Sequence, residues 1–470
     1  MTTPAGRNRR RVSDANSALL VDLYELTMLQ AYWRERMFDE AVFSLFVRRL
    51  PEQRNYLLAC GLEDALHYLE HLHFGAAALE FLRARGEFSA DFLNWLKDFR
   101  FTGEVFAVPE GTPFFAQEPI LEVVAPLPEA QIAETFLLNQ MNFQTVLASK
   151  ASRVVAAAGP GRSVIDFGTR RTFGADAAVK SARAFFIAGV SATSNVLAGA
   201  IYALPISGTM AHSYIQAHDD ELAALRRFVE LYPDAILLVD TYDTLQGVRK
   251  VTQLARELGD RFRVRGIRLD SGNLIQLAFE ARNILDAARL EDISIFASSS
   301  LDEYEIEKIV KAGAPIAGFG VGTNMGVSKD APTLDMVYKL TAYAGVGRLI
   351  TSPGKETCPG RKQVFRQAED GRYTRDILAR HDEPLPGTPL LERVMAGGKR
   401  LPAGRKPLEA GRARAKAELA RFPAPLLSLS SARPRYNVEI SAALERHRQA
   451  TVDERRTGLD HAIDQAPQAI

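Results

Sequence analysis

Val264-Arg265-Gly266-Ile267-Arg268-Leu269-Asp270-Ser271-Gly272 decides the fold. Val264 to Leu269 has the length of a buried strand. It stops at an acid, a hydroxyl and a glycine, and a helix begins near Leu274. The pattern recurs on both sides. Ile236 to Val239 ends at Asp240, with a helix from about Thr244. Ile293 to Ala297 ends at Ser298-Ser299-Ser300, with a helix over Asp302 to Val310. Ile316 to Phe319 ends at Gly320-Val321-Gly322-Thr323. Upstream, Val164-Ile165-Asp166 precedes Phe167-Gly168-Thr169-Arg170-Arg171 and a helix through Ile187. An apolar run from Ala200 to Ile206 reads as a further buried strand, ending at Ser207-Gly208-Thr209 with His212 and Ser213 just beyond. The last four strand ends lie about 20 to 30 residues apart, one βα unit each. This predicts an α/β fold with an irregular (β/α) barrel over residues 150–345. In such sheets the carboxyl ends of the strands carry the site.

The flanks differ in character. Residues 1–16 read as a flexible tail. A helix capped by Asp14 or Asn16 is expected to run to Trp33, with Leu20, Leu23, Tyr24, Thr27, Met28 and Ala31 near one face. By default Tyr24 is then a core aromatic. Glu40 to Val47 reads as a strand, Leu62 to Leu72 and Asp91 to Phe99 as helices. Glu104–Val108, Pro113–Ala116 and Ile120–Val124 read as hairpin strands, and roughly Glu129 to Ala158 as a long amphipathic helix ending at Gly159-Pro160-Gly161. Residues 17–149 are therefore expected to form an α+β sandwich domain. The segment 346–470 is expected to complete it by packing against it, with a last helix over Tyr436 to Arg448 and a frayed end from Asp453.

Composition bounds the function. A chain of 470 residues accommodates two or three domains. Net charge is +1, which gives no sign of a nucleic-acid or membrane polyelectrolyte. Two cysteines, Cys60 and Cys358, without paired spacing exclude a disulfide scaffold or a cysteine zinc site and suit a reducing cytosol. No apolar stretch is long enough to span a bilayer.

The predicted rim gathers Arg170, Arg171, Thr209, His212, Asp240, Asp270, Ser298, Gly320, Gly322 and Thr323, with Arg268 just inside Asp270. Cations and glycine amides suit a ligand with more than one phosphate or carboxylate. Asp240 and Asp270 suit Mg²⁺ or a sugar diol. A histidine beside Gly208-Thr209 can carry a proton, a metal or a phosphoryl group, although a lone histidine there more often caps or packs. Arg170 and Arg268 equally suit plain ion pairs with the aspartates, and Asp270-Ser271-Gly272 equally suits a helix cap. There is no G-x-x-x-x-G-K-[ST], and the glycines from Gly318 to Gly326 miss the dinucleotide spacing.

Six stretches in order carry a resemblance: Asp22-Leu23-Tyr24-Glu25-Leu26-Thr27-Met28, Asp166-Phe167-Gly168-Thr169-Arg170-Arg171, Gly208-Thr209-Met210-Ala211-His212-Ser213, Asp240-Thr241-Tyr242-Asp243, Arg268-Leu269-Asp270-Ser271-Gly272 and Gly320-Val321-Gly322-Thr323. From Leu20 to about Arg366 the sequence resembles nicotinate phosphoribosyltransferases. The resemblance implies the barrel of the type II phosphoribosyltransferase kind. It implies formation of nicotinate mononucleotide and pyrophosphate from nicotinate and phosphoribosyl pyrophosphate, with ATP hydrolysed as co-substrate. It further implies Mg²⁺, a cytosolic place in NAD salvage, and a homodimer whose site borrows residues from the partner. In that family the position of His212 is phosphorylated by ATP. Positions matching Tyr24, Thr209 and Arg268 hold nicotinate, and that of Thr323 touches the sugar phosphate. Asn273 departs from the family, which often has a second carboxylate there. Two rivals remain. The amide-using nicotinamide cousins are expected to carry a carboxylate just after Gly-Thr, where this chain has Met210. A phosphosugar-binding barrel without turnover is the other.

Overall fold

The computed structural model describes residues 12–464. The chain divides into two compact units, one of residues 146–332 and one of residues 1–145 with 333–470; the boundary falls inside the helix Glu134–Ala158. The expected barrel limits were 150 and 345. The difference at the far end arises because Met336–Tyr343 pairs antiparallel with Glu40–Val47 and so joins the other sheet.

Unit 146–332 is built on six parallel strands: β1 (Ser163–Asp166), β2 (Ala192–Thr193), β3 (Ile236–Leu238), β4 (Gly266–Leu269), β5 (Ser294–Ala297) and β6 (Gly318–Val321). Their order is β2-β1-β6-β5-β4-β3. Read around a circle, this is 1-2-3-4-5-6 with a break between β2 and β3, so the irregular (β/α) barrel is a half-barrel. Leu237, Leu238, Ile267, Leu269, Ala297, Phe319 and Val321 are essentially inaccessible to solvent, as expected of parallel strands covered on both faces.

The break is where the sequence suggested a strand over Ala200–Ile206. That expectation is corrected. Val196–Tyr202 is a helix, capped by Asn195, whose side chain accepts from Ala198 N at 3.0 Å. Ala203, at φ 54°, ends it. Only Ile206 retains strand character, in a single parallel bridge to Thr193. An apolar run of this length fits a helix or a strand equally by pattern alone, and Val196, Leu197 and Ile201 are in fact exposed. After Ser207, whose N donates to Thr193 O at 3.0 Å, the missing rung leaves Gly208–Ala211 outside any strand or helix at the open side of the sheet.

The other unit has a seven-stranded antiparallel sheet centred on Glu40–Val47 and Pro119–Pro126, extended at one side by Glu104–Ala107 and then Glu392–Ala396 from the C-terminal segment. A four-stranded sheet, not foreseen, joins Thr388–Pro389, Lys362–Glu369, Arg372–Arg380 and Asn437–Ile440. Its central hairpin turns at Asp370 (φ 49°) and Gly371 (φ 77°), the positive pair that an Asp-Gly dipeptide tolerates. The last helix runs over Ala442–Asp464, after a strand at Asn437–Ile440, so the frayed end expected from Asp453 is helical as far as Asp464. Residues 1–11 and 465–470 of the expected tails lie outside the described residues. Asp14 is not loose, since its carboxylate is 2.9 Å from His67 Nε2.

The first α-helix is Leu23–Arg34, later than expected, and it buries Glu25, Leu26 and Leu29. Tyr24 is 45% exposed and is therefore not a core aromatic. No helix among the described residues is long and apolar enough to cross a membrane.

Candidate active site

The carboxyl ends of β1 and β4, with the Gly208–Ser213 stretch, enclose a cleft of about 550 Å³. Phe167, Thr169, Arg170, Thr209, His212, Arg268 and Asp270 are among its lining residues. Five residues that lie far apart in the chain as candidates are thus brought together: Arg170, Thr209, His212, Arg268 and Asp270.

Arg268 is the more buried of the two arginines among them and is only loosely paired. Its guanidinium donates from Nη1 to Thr209 Oγ1, and Nη2 is 4.0 Å from Asp270 Oδ2. Its Nε is buried without a hydrogen-bond partner among the described residues. The charge lies 5.8 Å from the centre of the Phe167 ring. Burial pulls its proton affinity below the ordinary arginine value, against the opposing pull of Asp270 and Asp240; nearby Arg170 acts with burial. A cation so placed favours an incoming anion.

His212 is 41% exposed at its side chain. Its Nδ1 meets Thr241 Oγ1 at 3.2 Å, while Nε2 faces Asp270 Oδ2 at 3.6 Å. Asp270 is not the helix cap; that role belongs to Asn273, whose Oδ1 accepts from Gln276 N at 3.3 Å. Instead Asp270 accepts from Ser298 Oγ, and its own N–H donates to Asp240 Oδ2 at 2.9 Å. Ser271 Oγ donates to the same oxygen at 2.6 Å. Asp240 Oδ1 is left buried and unpartnered among the described residues.

Gly320 has a close-packing reason as well as a place near the rim, whereas a Cβ on Gly322 would make only ordinary contact, with Phe167 O at 3.5 Å. A Cβ on Gly320 would lie 2.3 Å from the Phe167 ring, and one on Gly168 would lie 3.3 Å from Gly326 Cα. Thr323 opens the short helix Thr323–Gly326 and is exposed. Tyr24 belongs to the other unit. There the helix start is tied down by Thr135, whose N donates to Glu25 Oε1 at 3.2 Å and whose Oγ1 donates to Asp22 Oδ2 at 3.1 Å.

Family models for the nicotinate phosphoribosyltransferase N-terminal domain and for the nicotinate phosphoribosyltransferase family match residues 19–142 and 163–374. The chain is 55% identical over 384 residues to nicotinate phosphoribosyltransferase pncB2 of Mycobacterium tuberculosis, covering 82% of this chain and 83% of that protein. It is 42% identical to nicotinate phosphoribosyltransferase of Bacillus subtilis, over 79% of this chain and 77% of the relative.

The chain belongs to the nicotinate phosphoribosyltransferase family.

A crystal structure of human nicotinic acid phosphoribosyltransferase superposes with TM-score 0.81 at 27% identity, covering 91% of this chain and 99% of that one. With the nicotinate phosphoribosyltransferase family established, the residues that sequence reasoning passed over can be placed. Phe167 stands as the aromatic wall beside Arg268. Thr241 orients His212 and follows Asp240 directly. Asp166, almost fully buried, accepts from Gly168 N at 2.7 Å and from Thr193 Oγ1 at 2.7 Å, which shapes the Phe167–Arg171 loop. Asp166, Phe167 and Thr241 all sit within the quoted motifs, so the motif was visible but not the division of labour inside it. Thr193 carried no sequence signal.

No cluster of three or more acidic, histidine or cysteine side chains able to hold a metal occurs among the described residues. The uncommitted Asp240 Oδ1 beside Asp270 nevertheless fits a hard cation that takes its remaining oxygens from phosphate and water.

Proposed function

We propose that this chain is a nicotinate phosphoribosyltransferase whose turnover is coupled to ATP through phosphorylation of His212. The pyridine nitrogen of nicotinate attacks the anomeric carbon of phosphoribosyl pyrophosphate. The bond from that carbon to pyrophosphate breaks, and the products are nicotinate mononucleotide and pyrophosphate. The observation that carries the reading is Arg268, a largely buried and loosely paired guanidinium with the Phe167 ring beside it. A flat ring with one carboxylate is the ligand such a pair receives. Thr209 is assigned to the same nicotinate, and Arg170, Ser298, Gly320, Gly322 and Thr323 to the phosphosugar. Met210, apolar and part of the cleft lining, supports an acid over an amide at that position.

No strong base is required, because the pyridine nitrogen is already a nucleophile. What the protein supplies is alignment and charge at the leaving group. Mg²⁺, held by Asp240 and Asp270, would supply charge neutralisation of the pyrophosphate when bound. His212 serves energy coupling and does not attack the sugar. Thr241 holds one ring nitrogen, which supports the other as the phosphoryl acceptor. A phosphoryl group there adds about 1.5 to 2 negative charges by analogy with phosphoserine, near Arg170 and Arg268. If that tightens substrate binding a hundredfold, the coupling is about 2.7 kcal/mol, within the reach of ATP hydrolysis. The reading includes a homodimer acting in NAD salvage in the cytoplasm.

The deciding assay is pyrophosphate release that depends on nicotinate, with and without ATP. Nicotinate should outcompete nicotinamide at equal concentration. His212→Ala should abolish transfer of label from ATP to protein and the stimulation by ATP. Label entering that variant, or stimulation persisting, would rule out the coupling role.

A further inference from the structure

We infer that Lys150 is a positioning residue for phosphoribosyl pyrophosphate: its ammonium clamps together, from beneath, the two rim loops that follow β5 and β6. This deepens the phosphoribosyl-transfer reading above and rests on it.

Lys150 lies in the helix Glu134–Ala158 with its side chain 2% exposed. Its Nζ is 2.5 Å from Glu303 Oε2 and donates to Asp330 Oδ1 at 2.7 Å. Glu303 is fully buried and is the first residue of the helix Glu303–Lys311, directly after the Ser298–Asp302 loop. Asp330 closes the loop that begins with Thr323–Gly326. Arg153, one helical turn on from Lys150, donates from Nε to Glu303 Oε1 at 3.0 Å and from Nη2 to the Tyr304 hydroxyl at 3.0 Å. The two loops also meet directly, since Asn324 Nδ2 donates to Ser300 O at 2.9 Å and to Leu301 O at 3.2 Å.

The loops need holding. Ser299 has φ 119° and Ser328 φ 42°, conformations that side-chain-bearing residues rarely adopt. Such backbone persists only where its surroundings over-determine it. Two carboxylates from different loops sharing one buried ammonium do this. An apolar cluster of equal volume could match the stability of these ion pairs but not their directionality. None of the four charged residues lines the cleft. Their effect therefore passes through the loops themselves, which carry Thr323 and Ser298, whose Oγ donates to Asp270 of the cleft.

The test is steady-state kinetics of Asp330→Asn and Lys150→Met, with Lys150→Arg as the conservative control. We expect KM for phosphoribosyl pyrophosphate to rise about tenfold or more, the scale set by small misplacement of binding groups. KM for nicotinate should stay near its original value, and Lys150→Arg should recover most of the loss. Should Lys150→Met not fold, Asp330→Asn carries the test, because its side chain is already 22% exposed. A lowered melting temperature with an unchanged KM for phosphoribosyl pyrophosphate would overturn the inference and leave the cluster as stability alone. If the unaltered chain released no pyrophosphate with nicotinate, the transferase reading itself would fall, a result distinct from a variant that matches it.

Discussion

Arg366 is fully buried and Arg268 largely so, one in each unit, and the structure treats them oppositely. Arg366 is wholly inaccessible. Its Nε and Nη2 grip Asp376 in a two-pronged contact, at 3.0 and 2.6 Å, and Nη2 also donates to Pro113 O at 2.8 Å. The rings of Tyr373 and Phe422 lie 5.1 and 5.2 Å away. Burial depresses the proton affinity of both arginines. Asp376 more than reverses that for Arg366, whereas the carboxylates around Arg268 do not. One guanidinium is consumed by the fold as a cross-link between strands. The other is held out of water with charge left for a ligand. Burial alone therefore does not mark a functional arginine; the proposed role falls to the one whose nearest carboxylate is 4.0 Å away.

The largest effect should come from breaking the consumed pair. Arg366→Met leaves Asp376 in the core without a cation, with the Tyr436 hydroxyl still donating to it at 3.0 Å, and should cost about 3–5 kcal/mol in urea unfolding. A loss below about 1 kcal/mol would erase the contrast. Arg268→Lys should leave stability nearly intact but raise KM for nicotinate about 10- to 100-fold. That is the scale of one hydrogen bond to a charged partner, and a lysine cannot present the planar fork. Gly320→Ala pushes a methyl into the Phe167 ring that flanks Arg268 and should cost about 1–2 kcal/mol, with a parallel rise in KM. Unchanged melting would show that the ring moves freely.

The last effect concerns pH. Burial pushes the Glu25 carboxyl up to about 7, with Glu134 adding to it and Thr135 opposing it. Between about 4.5 and 7 the folded chain keeps a proton that the unfolded chain releases, so Glu25 makes stability fall as pH rises through that window. Glu25→Gln should flatten the fall, read as a smaller difference in melting temperature between pH 5 and pH 8. An unaltered difference would assign the pH response to other groups.

Much of the parallel sheet was legible because βα units are local. Each strand, its polar end and its helix lie within one short stretch, and Asp240, Asp270 and Ser298 were recognised from that position. Arg268 was recognised as a cation near the rim, but whether it paired tightly with Asp270 was open. The second sheet of the other unit went unread, although Asp370-Gly371 between Lys362–Glu369 and Arg372–Arg380 is a strong hairpin signal. Its strands were obscured by the arginines and glutamates on them. Tyr24 was read as core because helical spacing names a face without saying which face the tertiary contacts cover.

The amino-acid order by itself determined most of the strands and helices from Val164 to Val321, the stretch around Ala200–Ile206 excepted, and the residue types at their ends, since backbone preference and hydrophobic period act over a few residues. The tertiary structure decided where the barrel opens, which arginine keeps its charge available, and which loops share Lys150. Those outcomes depend on distances between residues remote in the chain, and no local preference encodes a distance.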